Sequence, residues 1–184
     1  RDIDELVNTI ERLQSIAGEL EPPIPLLFAA DQEGGRVRAL RSNELTVFPP
    51  LYHIASYRDP EVLRAEGYIT GTELKSLGIT MNFAPVLDLS PEPDSSIIGD
   101  RSMGPDPELA ERLGSAFIRG TLQAGVVPVA KHFPGHGMTS VDSHGALPVV
   151  EMAKDELYRT HLRPFIAAMS AGLPAIMTAH VLFL

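Results

Sequence analysis

"DPELAERLGSAFIRGTLQAGVVPVAKHF", residues 106–133, holds one complete structural unit. Asp106 is placed as a helix N-cap, and Pro107 follows at the first helical position, where its missing N–H is not needed. Leu109, Leu113, Phe117 and Ile118 recur at three- and four-residue spacing, so one face of the predicted helix is apolar. Gly125 supplies the stop. The run that follows, "VVPVA", carries no polar alternation, which suits a strand covered on both faces of its sheet. It ends on Lys131 and His132.

The same unit recurs along the chain. "RDIDELVNTIERLQSIAG" (1–18) spaces Ile3, Leu6, Val7, Ile10, Leu13 and Ala17 as one helical face, and "IPLLFAAD" (24–31) follows, ending on Asp31. "DPEVLRAEGYITGTELKSLG" (59–78) opens on Asp59-Pro60, closes on Gly78 and precedes "ITMNFAPVLDL" (79–89). "PFIAAMSAG" (164–172) closes on Gly172 before "PAIMTAHVLFL" (174–184). Four helix–glycine–strand units with short apolar strands predict an α/β fold around a buried parallel sheet. A doubly wound sheet and a TIM-type (β/α)8 barrel both fit. A barrel takes roughly 250 residues, so this chain would hold about half of one, four strands with their helices. The expectation is a partial barrel domain over residues 1–184, cut at both ends, because the pattern starts on a helix and stops on a strand.

Composition narrows the function classes. The formal net charge is -9 and Lys and Arg form no run, which argues against nucleic acid as a partner. There is no cysteine, hence no disulfide and no thiolate metal site. No apolar stretch reaches the roughly 18 residues of a membrane span.

Polar residues gather where the strands end. Asp31 ends the first, Asn82 and Asp88 lie in and after the second, Lys131 and His132 end the third, and His180 ends the fourth. In parallel α/β folds the site lies at the carboxyl ends of the strands. Three stretches there carry chemistry. In "DQEGGRVRAL" (31–40), Gly34-Gly35 turns the chain sharply and brings Asp31, Glu33 and Arg36 around the strand end; a turn with a local ion pair reads equally well. In "IIGDRSMGPDPELA" (97–110), Arg101 either grips ligand oxygens with its planar fork or anchors the loop by pairing with Asp100. In "KHFPGHGMTSVDSHGALP" (131–148), Asp142 stands two positions from His144. A carboxylate on one ring nitrogen fixes the tautomer and raises imidazole basicity, which makes a proton shuttle. His132, His136, Asp142, His144 and His180 also raise metal-dependent hydrolysis, but their spacing matches no recognised ligand pattern, and no metal or cofactor is expected. "VEMAKDELYRTHLRPF" (150–165) reads as a solvated connecting helix interrupted at Pro164.

The motifs "DQEGGRV", "NFAPVLDLS", "GDRSMG", "AKHFPGHG" and "DSHGALP", in that order, resemble family-3 glycoside hydrolases, most of all the bacterial β-N-acetylglucosaminidase branch acting on peptidoglycan fragments. The resemblance runs from about residue 24 to residue 181 and implies a (β/α)8 barrel. By it, Asp31, Arg101, Lys131 and His132 match the residues that bind the hydroxyls of the non-reducing sugar. His144 matches the general acid/base and Asp142 its dyad partner. The family's further arginine after the "GGRV" turn falls at Ala39, with Arg38 beside it. The resemblance implies a retaining two-step mechanism on a small carbohydrate partner. Its nucleophile, an aspartate on a later strand, lies beyond Leu184, so the 184-residue piece alone is expected to be inactive. A β-glucosidase-type or phosphorylase member of the family, and a non-catalytic sugar-binding fragment, are the alternatives.

Overall fold

The computed structural model describes residues 3–91, 93–94, 97–139 and 147–184. In chain order the elements are helix α1 (Ile3–Gly18), strands β1 (Ala29–Ala30), β2 (Gln32–Gly34) and β3 (Val37–Arg38), helices α2 (Leu51–Ala55) and α3 (Pro60–Ser76), and strand β4 (Met81–Asn82). A 3-10 turn at Gly99–Arg101 precedes helix α4 (Pro107–Gln123) and strand β5 (Val127–Phe133). Strand β6 (Val149–Val150), helices α5 (Lys154–Arg159) and α6 (Leu162–Ser170), and strands β7 (Ala175–Thr178) and β8 (Leu182–Phe183) complete the chain.

The main sheet has the order β1-β4-β5-β7, and every pairing in it is parallel. Spatial order therefore follows chain order without reversal. A doubly wound sheet reverses at a switch point, whereas a barrel adds each strand on the same side of the last. The ambiguity left by the sequence resolves in favour of a partial TIM-type barrel. Helices α3, α4 and α6 connect successive strands and pack side by side.

The helices begin as the sequence dictates. The Asp59 carboxylate accepts from the Glu61 N–H at 2.9 Å, and that of Asp106 accepts from Glu108 and Leu109 at 3.0 and 3.2 Å, satisfying N–H groups the helix leaves unpaired. Leu63, Leu113, Phe117, Ile118 and Phe165 bury their apolar faces with Val86, Leu87 and Ala130 in the principal core. A second cluster joins Ile10 of α1 to Leu74, Leu77, Ile79 and Val126. Helices α3 and α4 approach until backbones touch: a methyl group added at Gly120 would fall 2.0 Å from the Arg64 carbonyl oxygen, and one at Gly67 2.3 Å from that of Phe117.

Two sequence expectations are corrected. The first two strands are much shorter than their apolar runs, only Ala29–Ala30 and Met81–Asn82 pairing as strand, with an isolated bridge from Val86 to Lys131 extending the second. The connecting helix breaks at Thr160-His161, and Pro164 lies within the first turn of α6, where its absent N–H leaves no bond unmade. Helix α2, five residues long, carries too little periodicity to be read from sequence and was not expected.

Candidate active site

The carboxyl ends of β1, β4, β5 and β7 surround a cleft of about 440 Å³, a size that suits a small ligand. Its lining includes Asp31, Glu33, Arg101, Lys131, His132, His136 and His180, with Phe83, Ile97, Ile98 and Met177 as apolar wall. A groove of similar size, about 450 Å³, runs between α4 and α6, but its walls come from those helices and Ala171 and contain no strand-end residue.

Residues of β1 and β2 are held in place by amide side chains. Buried Asn82 accepts from the Gln32 N–H at 3.1 Å and donates to the Gln32 carbonyl at 3.0 Å, continuing the β1–β4 pairing with a side chain. Gln32 in turn spans the hairpin, exchanging hydrogen bonds with both backbone groups of Leu40. Asn82 is thus a scaffold residue. Gly34 and Gly35 sit at φ values of 94° and 52°, and the Gly35 N–H donates to the Phe48 carbonyl, so the turn directs Glu33 inward.

Glu33 is the centre of the first charge cluster. Both its oxygens accept from Arg101 at 2.8 Å, and its Oε1 also meets the Lys131 ammonium at 2.5 Å. Lys131 Nζ lies 2.6 Å from Asp31 Oδ1. Side-chain exposure decides the roles: Glu33 and Lys131 keep 2%, Arg101 17% and Asp31 47%. Glu33 faces its partners, while Asp31 presents its remaining acceptor capacity to solvent. Burial alone would weaken the Arg101 charge, but Glu33, with Asp88 and Asp31, more than offsets it and holds the guanidinium above its ordinary pKa.

The partner offered by the sequence for Arg101 as a loop anchor, Asp100, is taken by another residue. Asp100 pairs with Arg36 at 3.1 Å, and Arg36 donates to the carbonyls of Ile97 and Ile98 at 2.9 and 3.2 Å. Asp100 is thus bound by Arg36, while Arg101 is bound by Glu33. Arg38 is engaged with the Gly35 carbonyl, at 3.1 Å.

Asp88 is the centre of the second cluster. It is fully buried and accepts four hydrogen bonds: the His132 N–H reaches both oxygens at 3.2 Å, His132 Nδ1 reaches Oδ2 at 2.6 Å, and the His136 N–H reaches Oδ1 at 2.7 Å. Burial would raise its pKa, yet the bonds and charge from His132, with the two backbone bonds, bring it below the ordinary carboxylate range. The His136 ring, 5.9 Å from that of His132, has its Nδ1 2.6 Å from Thr139 Oγ1.

Of the site residues expected from sequence, the structure brings Asp31, Arg101, Lys131 and His132 to one cleft. Asp142 and His144 lie outside the described residues. Among the described residues no group of three or more His, Asp or Glu side chains is arranged to hold a metal, and no helix is long and apolar enough to cross a membrane. The supporting roles of Glu33 and Asp88 were not read from sequence; their only signal was an acidic residue near a strand end.

A parallel α/β partial barrel with a polar cleft at its strand ends belongs to a broad class of enzymes, and comparison narrows it. The glycosyl hydrolase family 3 N terminal domain matches residues 2–184. The chain therefore belongs to glycoside hydrolase family 3. It is 42% identical over 159 residues to a beta-hexosaminidase of Pseudomonas aeruginosa PAO1, covering 86% of this chain and 47% of that protein. A family 3 beta-N-acetylglucosaminidase from Paenibacillus sp. str. FPU-7 superposes with a TM-score of 0.94 at 45% identity, over 100% of this chain and 34% of that one. NagZ from Neisseria gonorrhoeae, solved with N-trifluoroacetyl-D-glucosamine, superposes with a TM-score of 0.89 at 32% identity, over 100% and 54%. The chain spans about half the length, or less, of these relatives.

Proposed function

We propose that this chain provides the sugar-binding half and the acid/base of a retaining β-N-acetylhexosaminidase that releases N-acetylglucosamine from peptidoglycan fragments. The observation that carries the reading is the pairing at the cleft floor, where Glu33 and Asp88 hold Lys131, Arg101 and His132 around Asp31. A neutral polyol is gripped by charged groups that are already oriented, because charge-assisted hydrogen bonds to hydroxyls are short and directional. Similarity to relatives named beta-hexosaminidase and beta-N-acetylglucosaminidase supports the sugar class.

In this account Asp31 accepts from sugar hydroxyls while Arg101, Lys131 and His132 donate to or orient them. His144, with its tautomer set by Asp142, protonates the leaving oxygen and later takes a proton from water. The nucleophile is an aspartate from outside residues 1–184, so the chain by itself binds sugar without turning it over. An imidazole has a reason to replace a carboxylic acid here. Peptidoglycan fragments carry a lactyl carboxylate near the scissile bond, and a neutral or cationic ring does not repel it.

The test is the pH–rate profile of the full-length protein on a chromogenic β-N-acetylglucosaminide, with proton NMR of the first anomer released. Retention, and a limb of the profile that disappears in His144→Ala, support the reading; an unchanged profile in that variant, or release of the α-anomer, contradicts it.

A further inference from the structure

Asp88 does not line the cleft, yet the groups it binds do. Its carboxylate is acceptor-only when ionised, so the proton between it and His132 resides on Nδ1 of the ring. The nitrogen left for the cleft is therefore Nε2, free to accept in the neutral ring or to donate in the cation. The same carboxylate holds the His136 N–H at 2.7 Å, four residues along, at the start of the loop that follows β5. Ser102 Oγ donates to the Asp88 carbonyl at 2.7 Å and accepts from the Ser90 and Gly104 N–H groups, tying the backbone of Asp88 to the loop that carries Arg101.

We infer that Asp88 is a positioning residue that sets the tautomer of His132 and, through the His136 backbone, the start of the loop after β5. It acts on sugar only through those groups. The sugar-affinity part of this inference rests on the function proposed above; the tautomer part does not. One carboxylate thus gives a common origin to a sugar-facing ring and a loop root, so that neither shifts independently of the other.

An asparagine at position 88 separates the two tasks. Its carbonyl oxygen still accepts the His136 N–H, but its amide nitrogen faces His132 Nδ1 as a donor. The experiment is ring nitrogen-15 NMR of the full-length protein, wild type and Asp88→Asn, labelled at histidine, with thermal melts and N-acetylglucosamine titrations of both. In the wild type His132 Nδ1 is expected to stay protonated across the titration. In Asp88→Asn the neutral ring is expected to carry its proton on Nε2 and N-acetylglucosamine affinity to fall about tenfold or more. A wild-type ring with Nδ1 unprotonated overturns the inference, and so does a variant ring with unchanged shifts. If Asp88→Asn does not fold, the wild-type spectrum alone decides. A wild type that shows the Nδ1 proton but binds no sugar upholds the positioning role and refutes the sugar reading instead.

Discussion

Glu33 and Arg101, sixty-eight positions apart in the chain, form a two-point pair with both contacts at 2.8 Å, and the carboxylate is nearly sealed from solvent. The pair joins strand β2 to the 3-10 turn that precedes α4. Because Lys131 shares the same carboxylate, three elements converge on one buried negative charge.

Replacing Glu33 by Gln therefore leaves two cations with one fewer counter-charge. Breaking a buried pair costs on the order of 3 kcal/mol, so urea denaturation should show a loss of that size. N-acetylglucosamine affinity should drop by more than tenfold as Lys131 and Arg101 lose their fixed positions. Unchanged stability and affinity would show that the cluster is not a unit.

Glu66, on α3, is buried, its Oε2 finds no partner, and burial raises its pKa from 4.5 to about 8. The folded chain thus keeps it protonated at neutral pH while the unfolded chain ionises it above 4.5. Its contribution to stability is lost as pH rises from 4.5 through about 8. Glu66→Gln removes this dependence, so the variant should gain on the wild type between pH 5 and pH 8 by on the order of 3 kcal/mol. Urea melts at the two pH values check it; parallel curves would contradict it.

His161 works in the opposite direction. Burial lowers its pKa against the pull of Asp88 and Glu156, and its unpartnered Nδ1 packs close to Gly135. The unfolded chain takes up a proton first as pH falls through 6.5, so stability declines on the acid side of that value. His161→Leu should close its gap to the wild type, or overtake it, on going from pH 7.5 to pH 5. Thermal melts across that window measure the gap.

At the α3–α4 contact, Gly120→Ala puts a methyl group 2.0 Å from the Arg64 carbonyl, and the helices must part. The expected loss is about 1–3 kcal/mol. Gly18→Ala is the control, since nothing lies within 4 Å of a methyl group there. It should be neutral or gain up to about 1 kcal/mol from helix propensity.

The helices were legible because their signals are local. The Asp59-Pro60 and Asp106-Pro107 caps start α3 and α4 where the sequence placed them. Strand lengths were not legible, since "IPLLFAAD" and "ITMNFAPVLDL" are apolar along their whole length while pairing is set by the neighbouring strand. At the site, Asp31, Arg101, Lys131 and His132 line one cleft, but Glu33 and Asp88 were not given their roles. Asp100 stands next to Arg101 and invited a pairing; the real partner is Glu33, brought there by the fold. Asp88 looked like any acidic residue after a strand until its four bonds to His132 and His136 were seen.

The most direct measurement is a titration of the full-length protein with N-acetylglucosamine, followed by NMR chemical shifts of the backbone. Saturable shifts concentrated at Asp31, Arg101, Lys131 and His132, weakened by Glu33→Gln, are the result this account requires. Millimolar sugar that leaves those four residues unmoved would contradict it.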